Sequence, residues 1–432
     1  MTTTSISEGS EGLEPEQKED WLERRGETPT ESLAHFLIHL GGLLLKYGSP
    51  SQRIETVLRT TAEDFGHVCE VFAVPTGLWL SLVKVGGKHP VIRLSRVYDW
   101  EVDLQKLQAL DEVFNGVADQ RLSIPAARAR LLDIDRVGPK YPAPVIITAE
   151  AVACGSAALF FGGGWLESAV GALLGVLGGI LVYFSSRWLQ VRLLVDFLVG
   201  LLTGAVVWGA TALNPELVRK PMLLAGIIVI VPGMTLTVAL GELAHKQLVS
   251  GGARFLHALM VLTSMILGLA VMGLIEHWTG VAMPSGALPF EHPIWLQGLG
   301  TVVGGLAFAV LFSVPNGSIL LSSCSCAVAW MMWTWVDLTL GSGAAASFSA
   351  ALVLGIYANG LARFTDRPSQ IFLLPGLFLL VPGTMGFLGF TEFARGDAMQ
   401  GTIHLFNTLM NAGALIIGLI LATSFLSPRK IL

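Results

Sequence analysis

From Tyr141 onward the chain is a series of apolar stretches parted by short polar or glycine-rich breaks. A hydrocarbon core about 30 Å thick takes roughly 20 helical residues to cross. Ten stretches meet that length, near 142–162, 165–185, 193–212, 221–243, 252–275, 294–313, 317–336, 343–361, 371–392 and 402–426. The residues before them keep another rhythm. Residues 1–30 are acidic, polar and rich in Ser, Thr and Glu, which predicts a disordered tail and lacks the basic-then-apolar opening of a signal peptide. Leu33–Leu45 is apolar but short and is interrupted by His35 and His39, so it reads as a buried or interfacial helix. Ser49-Pro50-Ser51-Gln52 offers an N-cap, a first-turn proline and the Gln of a capping box, starting a helix that runs to about Phe65 and closes at Gly66. The runs 69–74, 78–85 and 89–97, rich in Val, Phe, Leu and Ile and parted by Pro75-Thr76-Gly77 and Gly86-Gly87-Lys88, predict three strands. Helices follow over 101–118 and 124–135.

The pattern divides the chain into a tail (1–30), a small cytoplasmic α+β domain (31–140), a first five-helix unit continuous with it (141–275), an external loop (276–293) and a second five-helix unit (294–427). The expected fold class is an α-helical polytopic membrane protein. A shift of 150 residues lays spans one to five on spans six to ten, and between 221–272 and 371–422 it matches 14 of 52 positions. Apolar composition inflates such a count, so the rarer coincidences carry the case: Val231-Pro232-Gly233 on Val381-Pro382-Gly383, Glu242 on Glu392, Gly251 on Gly401. Because five crossings is an odd number, the second copy must enter the membrane in the opposite sense, which is the 5+5 inverted repeat of many secondary transporters.

Composition agrees with this division. The chain is 53% hydrophobic and 14% charged, against roughly 25% charged in a soluble domain. A net charge of −5 without clustered Lys and Arg sets nucleic acid aside as a partner. The four cysteines form no CxxC pair, and Cys324-x-Cys326 lacks a nearby His or carboxylate, so no metal or cofactor is expected. With the N-terminal domain inside, internal segments hold Arg187, Arg192, Lys246, Arg254, Arg363, Arg367, Arg429 and Lys430, and external ones only Arg219, Lys220 and Arg395. That excess places both termini in the cytoplasm.

Candidate chemistry lies at the repeated Pro-Gly. Pro232 and Pro382 fall midway along their spans, where proline removes a donor and crowds the preceding turn while glycine relaxes the backbone. A packing kink explains either one alone. Paired at equivalent positions, Pro232-Gly233 and Pro382-Gly383 read as helix breaks whose freed groups, with Thr235 and Thr237 in one copy and Thr384 in the other, bind a zwitterionic solute. Charge inside a span is costly, so Glu150, Asp196, Glu242 and Glu392 are candidates for gating or proton coupling, against the plainer reading of interfacial residues or caps. Asn359 and Asn411 read as hydrogen-bonding residues between helices. Trp330, Trp333 and Trp335 read as an interfacial cluster.

With these residues in view, the chain resembles the threonine/serine exporter family. Gly48, Arg53-Ile54-Glu55 and Val74-Pro75-Thr76-Gly77 look like that family's N-terminal signature. Ala358-Asn359-Gly360-Leu361-Ala362-Arg363, Arg367-Pro368-Ser369 and Val381-Pro382-Gly383 look like its C-terminal part. The resemblance implies a secondary transporter of the cytoplasmic membrane that exports small hydroxy amino acids, coupled to protons, with the lipid bilayer and a small amino acid as its partners. Both halves are fused here, so no second kind of subunit is needed, and a homo-oligomer stays open. Alternatives are a hydrolase or sensor in the cytoplasmic domain, drawing on His35, His39, His67 and Cys69 or on Arg53 and Glu55, and a passive channel, for which no ring of pore-lining charge is evident.

Overall fold

The computed structural model describes residues 28–98, 101–185, 188, 192–279, 293–394 and 396–427. The acidic tail up to residue 27, most of the external loop predicted over 276–293, and Arg187, Arg395, Arg429 and Lys430 lie outside the described residues. The chain forms two compact units. One holds the residues up to Ser49 with 53–98 and 109–137; the other holds 50–52, 101–108 and everything from Gly138 on.

The first unit is α+β, as its pattern predicts. Helix α1 (Pro29–Lys46) begins four residues earlier than the apolar run, inside the stretch assigned to the tail. The reason is a capping box: the Glu31 N–H donates to the Thr28 hydroxyl while the Thr28 N–H donates to Glu31 Oε2 at 2.9 Å, with Pro29 in the first turn. Helix α2 (Ser51–Asp64) leads through Gly66, at φ +70°, into the antiparallel meander β1 (His67–Val74), β2 (Gly77–Lys84) and β3 (Val91–Arg96). Pairing of Val74 with Gly77 leaves Pro75-Thr76 as the tight turn between β1 and β2. Leu33, Phe36, Leu37, Leu40 and Leu44 of α1 are fully or nearly buried together with Ile54, Leu58, Leu78, Leu80 and Leu82. Gly41 permits this close approach, since a Cβ there would stand 2.7 Å from Leu58 Cδ1 and would strike Leu78. The other sheet face keeps Phe72, Trp79 and Leu94 in register and exposed. Helices α3 (Leu104–Ala118) and α4 (Ile124–Arg136) follow the meander, and Lys46 ties α1 to α4 through Asp135 at 2.5 Å.

The second unit is a multi-pass helical membrane domain. Its elements are α5 (Ala143–Phe160), α6 (Trp165–Ser185), α7 (Val195–Leu213), α8 (Arg219–Ile227), α9 (Gly233–Ala244), α10 (Leu248–Thr279), α11 (Ile294–Leu311), α12 (Ile319–Leu340), α13 (Gly343–Thr365), α14 (Gln370–Leu380), α15 (Gly383–Ala394) and α16 (Ala398–Phe425). Nine segments among the described residues are long and apolar enough to cross a membrane, with α14 and α15 counted as one. The expected fourth span, 221–243, is instead divided into α8 and α9, because the irregular stretch 228–232 interrupts it.

Small residues set the close helix contacts. Cβ atoms at Gly200 and Gly268 would collide with the Met265 and Phe197 carbonyls where α7 meets α10; Gly418 closes on the Phe348 carbonyl and Gly355 on Ala422 where α13 meets α16. Helices α5 and α11 run antiparallel. Gly300, near the start of α11, packs on Ser156 and Leu159 near the end of α5, whereas the opposite end of α11 reaches Val314, whose carbonyl accepts from Lys140 Nζ.

Candidate functional site

The α8–α9 and α14–α15 pairs are each one helical path broken at Pro-Gly, and the two breaks touch. A Cβ on Gly383 would lie 2.7 Å from the Gly233 Cα and 3.4 Å from Val231 Cγ1; a Cβ on Gly233 would strike Val381. Proline at 232 and 382 cannot donate to a preceding turn. The backbone ladder resumes only with Leu236 N–H to Pro232 O at 2.9 Å and Gly386 N–H to Pro382 O at 3.1 Å. The Gly233 N–H turns back onto the Val231 carbonyl at 2.7 Å, and the other first-turn N–H groups of α9 and α15 have no acceptor in a preceding helical turn, as at every helix start.

Pro375 adds a third irregularity to the same path. It deprives the Ile371 carbonyl of its helical donor, and the buried Ser322 hydroxyl of α12 supplies the bond at 2.5 Å.

Three cavities lie in a row through this crossing. A chamber of about 50 Å³ is lined by Ile228, Phe308, Phe378, Val381 and Thr384, among others. It shares Phe308 and Phe378 with a cavity of about 490 Å³ that holds Glu101, Asp103, Lys106 and Glu150. On its other side it shares Phe160, Phe161, Leu379, Val381 and Thr384 with a second cavity of about 490 Å³ that holds Asp337, Trp330, Trp333 and Asn411. The first partition is aromatic: the rings of Phe308 and Phe378 are 4.5 Å apart, and those of Phe312 and Phe378 are 5.5 Å apart.

The residues expected to carry the chemistry sort by where this row runs. Pro382, Thr384 and Asn411 line the Asp337 cavity, and Glu150 lines the opposite one. Thr235 and Thr237 are buried outside all three cavities, and the Thr237 hydroxyl makes no hydrogen bond among the described residues. Glu242 is buried and engaged. Its carboxylate receives Arg254 Nε at 3.2 Å, the Ser250 hydroxyl at 2.7 Å and the N–H of Ser51, which belongs to this unit, at 3.1 Å. The expected cap is not made: the Ser49 hydroxyl is buried without a hydrogen bond among the described residues, and α2 starts at Ser51, one residue after the proline expected to open it. Glu392, 150 residues on, is half-buried, and Asp196 sits half-buried in the first turn of α7 with His257 nearby. Asn359 donates to the Leu426 carbonyl at 2.8 Å and Arg363 to that of Ser427, closing the end of α16.

Asp337 went unnoticed in the sequence because the apolar stretch was ended at residue 336; the helix runs on to Leu340 and stops at Gly341, φ +60°. Its signal was an aspartate one turn beyond Trp333. Trp330 and Trp333 were read as interfacial markers and turn out to wall this cavity, while Trp335 is 62% exposed.

In the α+β unit the motif residues organise the fold. Glu55 Oε1 accepts the Ala73 N–H at 3.1 Å, joining α2 to β1. Arg53 is half-buried, and loss of water pushes its guanidinium down to about 10 against the support of Asp111. Gly77 lies against the Ser95 carbonyl, 3.2 Å from where a Cβ would be. Both ring nitrogens of His67 are occupied, Nε2 by Thr30 at 3.0 Å and Nδ1 by the Phe65 carbonyl at 2.8 Å. Burial pushes the Cys69 thiol up to about 11, far from a thiolate at neutral pH.

Comparison with known proteins follows the same lines. Residues 35–275 match the N-terminal model of the threonine/serine exporter family and residues 297–425 its C-terminal model. The threonine/serine exporter of Corynebacterium glutamicum is 22% identical over 397 residues, which cover 88% of this chain and 80% of that one. An uncharacterised protein of Schizosaccharomyces pombe is 22% identical over 382 residues, 86% of this chain and 46% of its own length. Pheromone-regulated membrane protein 10 of Yarrowia lipolytica is 21% identical over 400 residues, 87% of this chain and 32% of its own. The chain thus spans less than half the length of these fungal relatives. No solved structure matches it.

Proposed function

The chain belongs to the threonine/serine exporter family, and from that premise we propose that it exports threonine, serine or a similar small metabolite across the cytoplasmic membrane by proton-coupled alternating access. The observation that carries this reading is the contact of the two Pro-Gly breaks at a small chamber with a large cavity on either side. A solute at that point meets helix starts whose N–H groups suit a carboxylate, and reaches either cavity by passing one thin partition.

The proposed frame is a pair of five-helix units of inverted topology, with α8 and α9 together making the tenth crossing. The antiparallel run of α5 and α11, the first helices of the two units, supports it. So does the constant spacing, since Gly233 and Gly383 start α9 and α15, and Leu248 and Ala398 start α10 and α16, each pair 150 residues apart. Equivalent units of opposite sense can exchange conformations about a fixed site. With both termini in the cytoplasm, the Glu150 cavity faces inward and the Asp337 cavity outward. Glu150, buried in α5 and lining the inner cavity, is the proposed proton acceptor.

The test is uptake of labelled threonine and serine by liposomes holding the full chain under an imposed pH gradient. Uptake above empty liposomes that collapses with the gradient is expected. Signals equal to empty liposomes for every small amino acid tried would sink the reading. Pro232→Ala and Pro382→Ala should impair transport more than Pro221→Ala; equal effects return both prolines to the packing-kink reading.

A further inference from the structure

The Asp337 cavity has an uneven electrical character. Among its lining residues Asp337 is the single ionisable group, with Trp330 and Trp333 beside it. Asp337 is half-buried near the end of α12, and among the described residues its carboxylate has no ion pair and accepts no hydrogen bond. An unpaired carboxylate at the edge of an apolar span is expensive to keep. Its charge favours a cation, and the neighbouring indole faces favour one too. Gly298 serves this arrangement, for a Cβ there would stand 3.0 Å from the Trp330 ring.

A second polar group in the cavity is also incompletely used. Asn411 of α16 is only 7% exposed, and its amide nitrogen donates to the Met385 sulfur at 3.2 Å, a weak acceptor. Its amide oxygen accepts no hydrogen bond among the described residues. Thr384, in the first turn of α15, lines the same cavity and the central chamber as well. An acceptor, a negative charge and a helix start therefore share one space of about 490 Å³, within the range of roughly 300–1,000 Å³ typical of small-ligand pockets.

We propose that this cavity binds the exported amino acid as a zwitterion: Asp337 holds the α-ammonium, the first turn of α15 at Thr384 receives the carboxylate, and the Asn411 amide oxygen accepts the side-chain hydroxyl. The proposal rests on the exporter reading and adds to it a reason for the substrate class. A dicarboxylate or a plain hydroxy acid brings no cation to Asp337 and puts its negative charge beside one already there. A small amino acid without a hydroxyl keeps the ammonium contact and leaves Asn411 unanswered.

The experiment measures equilibrium binding to the full-length protein in nanodiscs of phosphatidylglycerol, which supplies no lipid ammonium, with L-threonine and 3-hydroxybutyrate as ligands. The wild type should prefer threonine by about tenfold or more, the loss expected when a hydrogen bond to a charged group goes unmade. Asp337→Asn should lower threonine affinity by a similar factor and abolish the preference, and Asp337→Glu should restore much of it. Unfolding midpoints of each variant separate lost binding from lost structure. A wild type that transports threonine while Asp337→Asn keeps both the affinity and the preference overturns the site and leaves the exporter reading standing. A wild type that neither binds nor transports any small amino acid overturns the reading and the site together. If Asp337→Asn instead loses only co-purifying phosphatidylethanolamine, the carboxylate serves a lipid and the proposal is wrong.

Discussion

The two halves of the membrane unit share a sequence pattern and divide the work differently. In residues 143–279 both sides of the break are braced. Glu242 at the end of α9 is buried against Arg254 and Ser250, and Val231, Ile227 and Leu224 join Val261, Leu262 and Met265 in one apolar cluster. In residues 294–425 the equivalent glutamate, Glu392, is half-buried, and Leu379, Leu380, Val381, Pro382, Thr384 and Met385 around the break line a cavity. A repeat fixes where the chain bends; the side chains that differ between copies fix which bend is packed and which borders a cavity.

The largest effect should come from removing the brace. Glu242→Gln leaves Arg254, only 11% exposed, beside a neutral amide in apolar surroundings. Breaking a buried pair in this way costs about 3–5 kcal/mol. Glu392→Gln, at a half-buried position, should cost less than about 1 kcal/mol. Denaturation midpoints of the two variants in the same detergent check this, and equal shifts would erase the distinction between the halves.

Next in size is the contact of the two breaks. Gly383→Ala puts a methyl group 2.7 Å from the Gly233 Cα, and Gly233→Ala drives one into Val381. Overpacking of this kind costs about 1–3 kcal/mol, and because it falls on the crossing itself, transport should drop by tenfold or more, roughly the kinetic equivalent of that energy. Gly209→Ala in α7, where a Cβ meets nothing within 4 Å, is the control and should transport normally. Normal transport by all three variants would mean that the breaks do not move against each other.

How much of this was readable beforehand depends on whether a feature is periodic or relational. Apolar spans, the hairpin turn at Pro75-Thr76 and the paired Pro-Gly were legible because each is written locally, in run length or in residues with restricted backbones. The start of α1 was missed because Thr28-Pro29-Thr30-Glu31 is polar throughout, and hydropathy does not see a capping box. The fate of the four acidic residues was hidden because burial partners come from elsewhere in the chain: nothing near Glu242 in sequence foretells Ser51, and nothing near Glu150 foretells Lys106 in the same cavity. Asp337 was lost to a boundary one residue short. The repeat predicted equivalent roles for Thr235 and Thr384, and the packing gives only Thr384 a cavity.

A smaller effect tests the partitions. Phe378 packs tilted against Phe308 and edge-on against Phe312 between the chamber and the Glu150 cavity, while Ile228, 150 residues before it, lines the chamber alone. Phe378→Leu keeps most of the volume and removes the ring contacts, which are worth about 1 kcal/mol beyond their area. It should raise the leak of labelled substrate without a gradient severalfold. Ile228→Leu should leave the leak unchanged. A leak through both would make the two partitions equivalent and favour a more symmetric pathway.

The smallest predicted change is a gain. The Thr237 hydroxyl is 4% exposed as a residue and makes no hydrogen bond among the described residues, whereas Phe387 occupies the equivalent position of the other half and is buried in the apolar cluster. A buried hydroxyl without a partner costs about 1–3 kcal/mol in desolvation. Thr237→Val removes that cost at nearly constant volume, so the denaturation midpoint should rise by the equivalent of about 1 kcal/mol with transport unchanged. The rival expectation comes from the Pro-Gly reading, in which small hydroxyls past the first break serve the solute. If Thr237→Val raises the KM for threonine, the hydroxyl is held in reserve for a state in which the first break opens, and the packed half then takes its turn as the site. A rise in stability alone confines the site to the second half and leaves the first as the frame against which it moves.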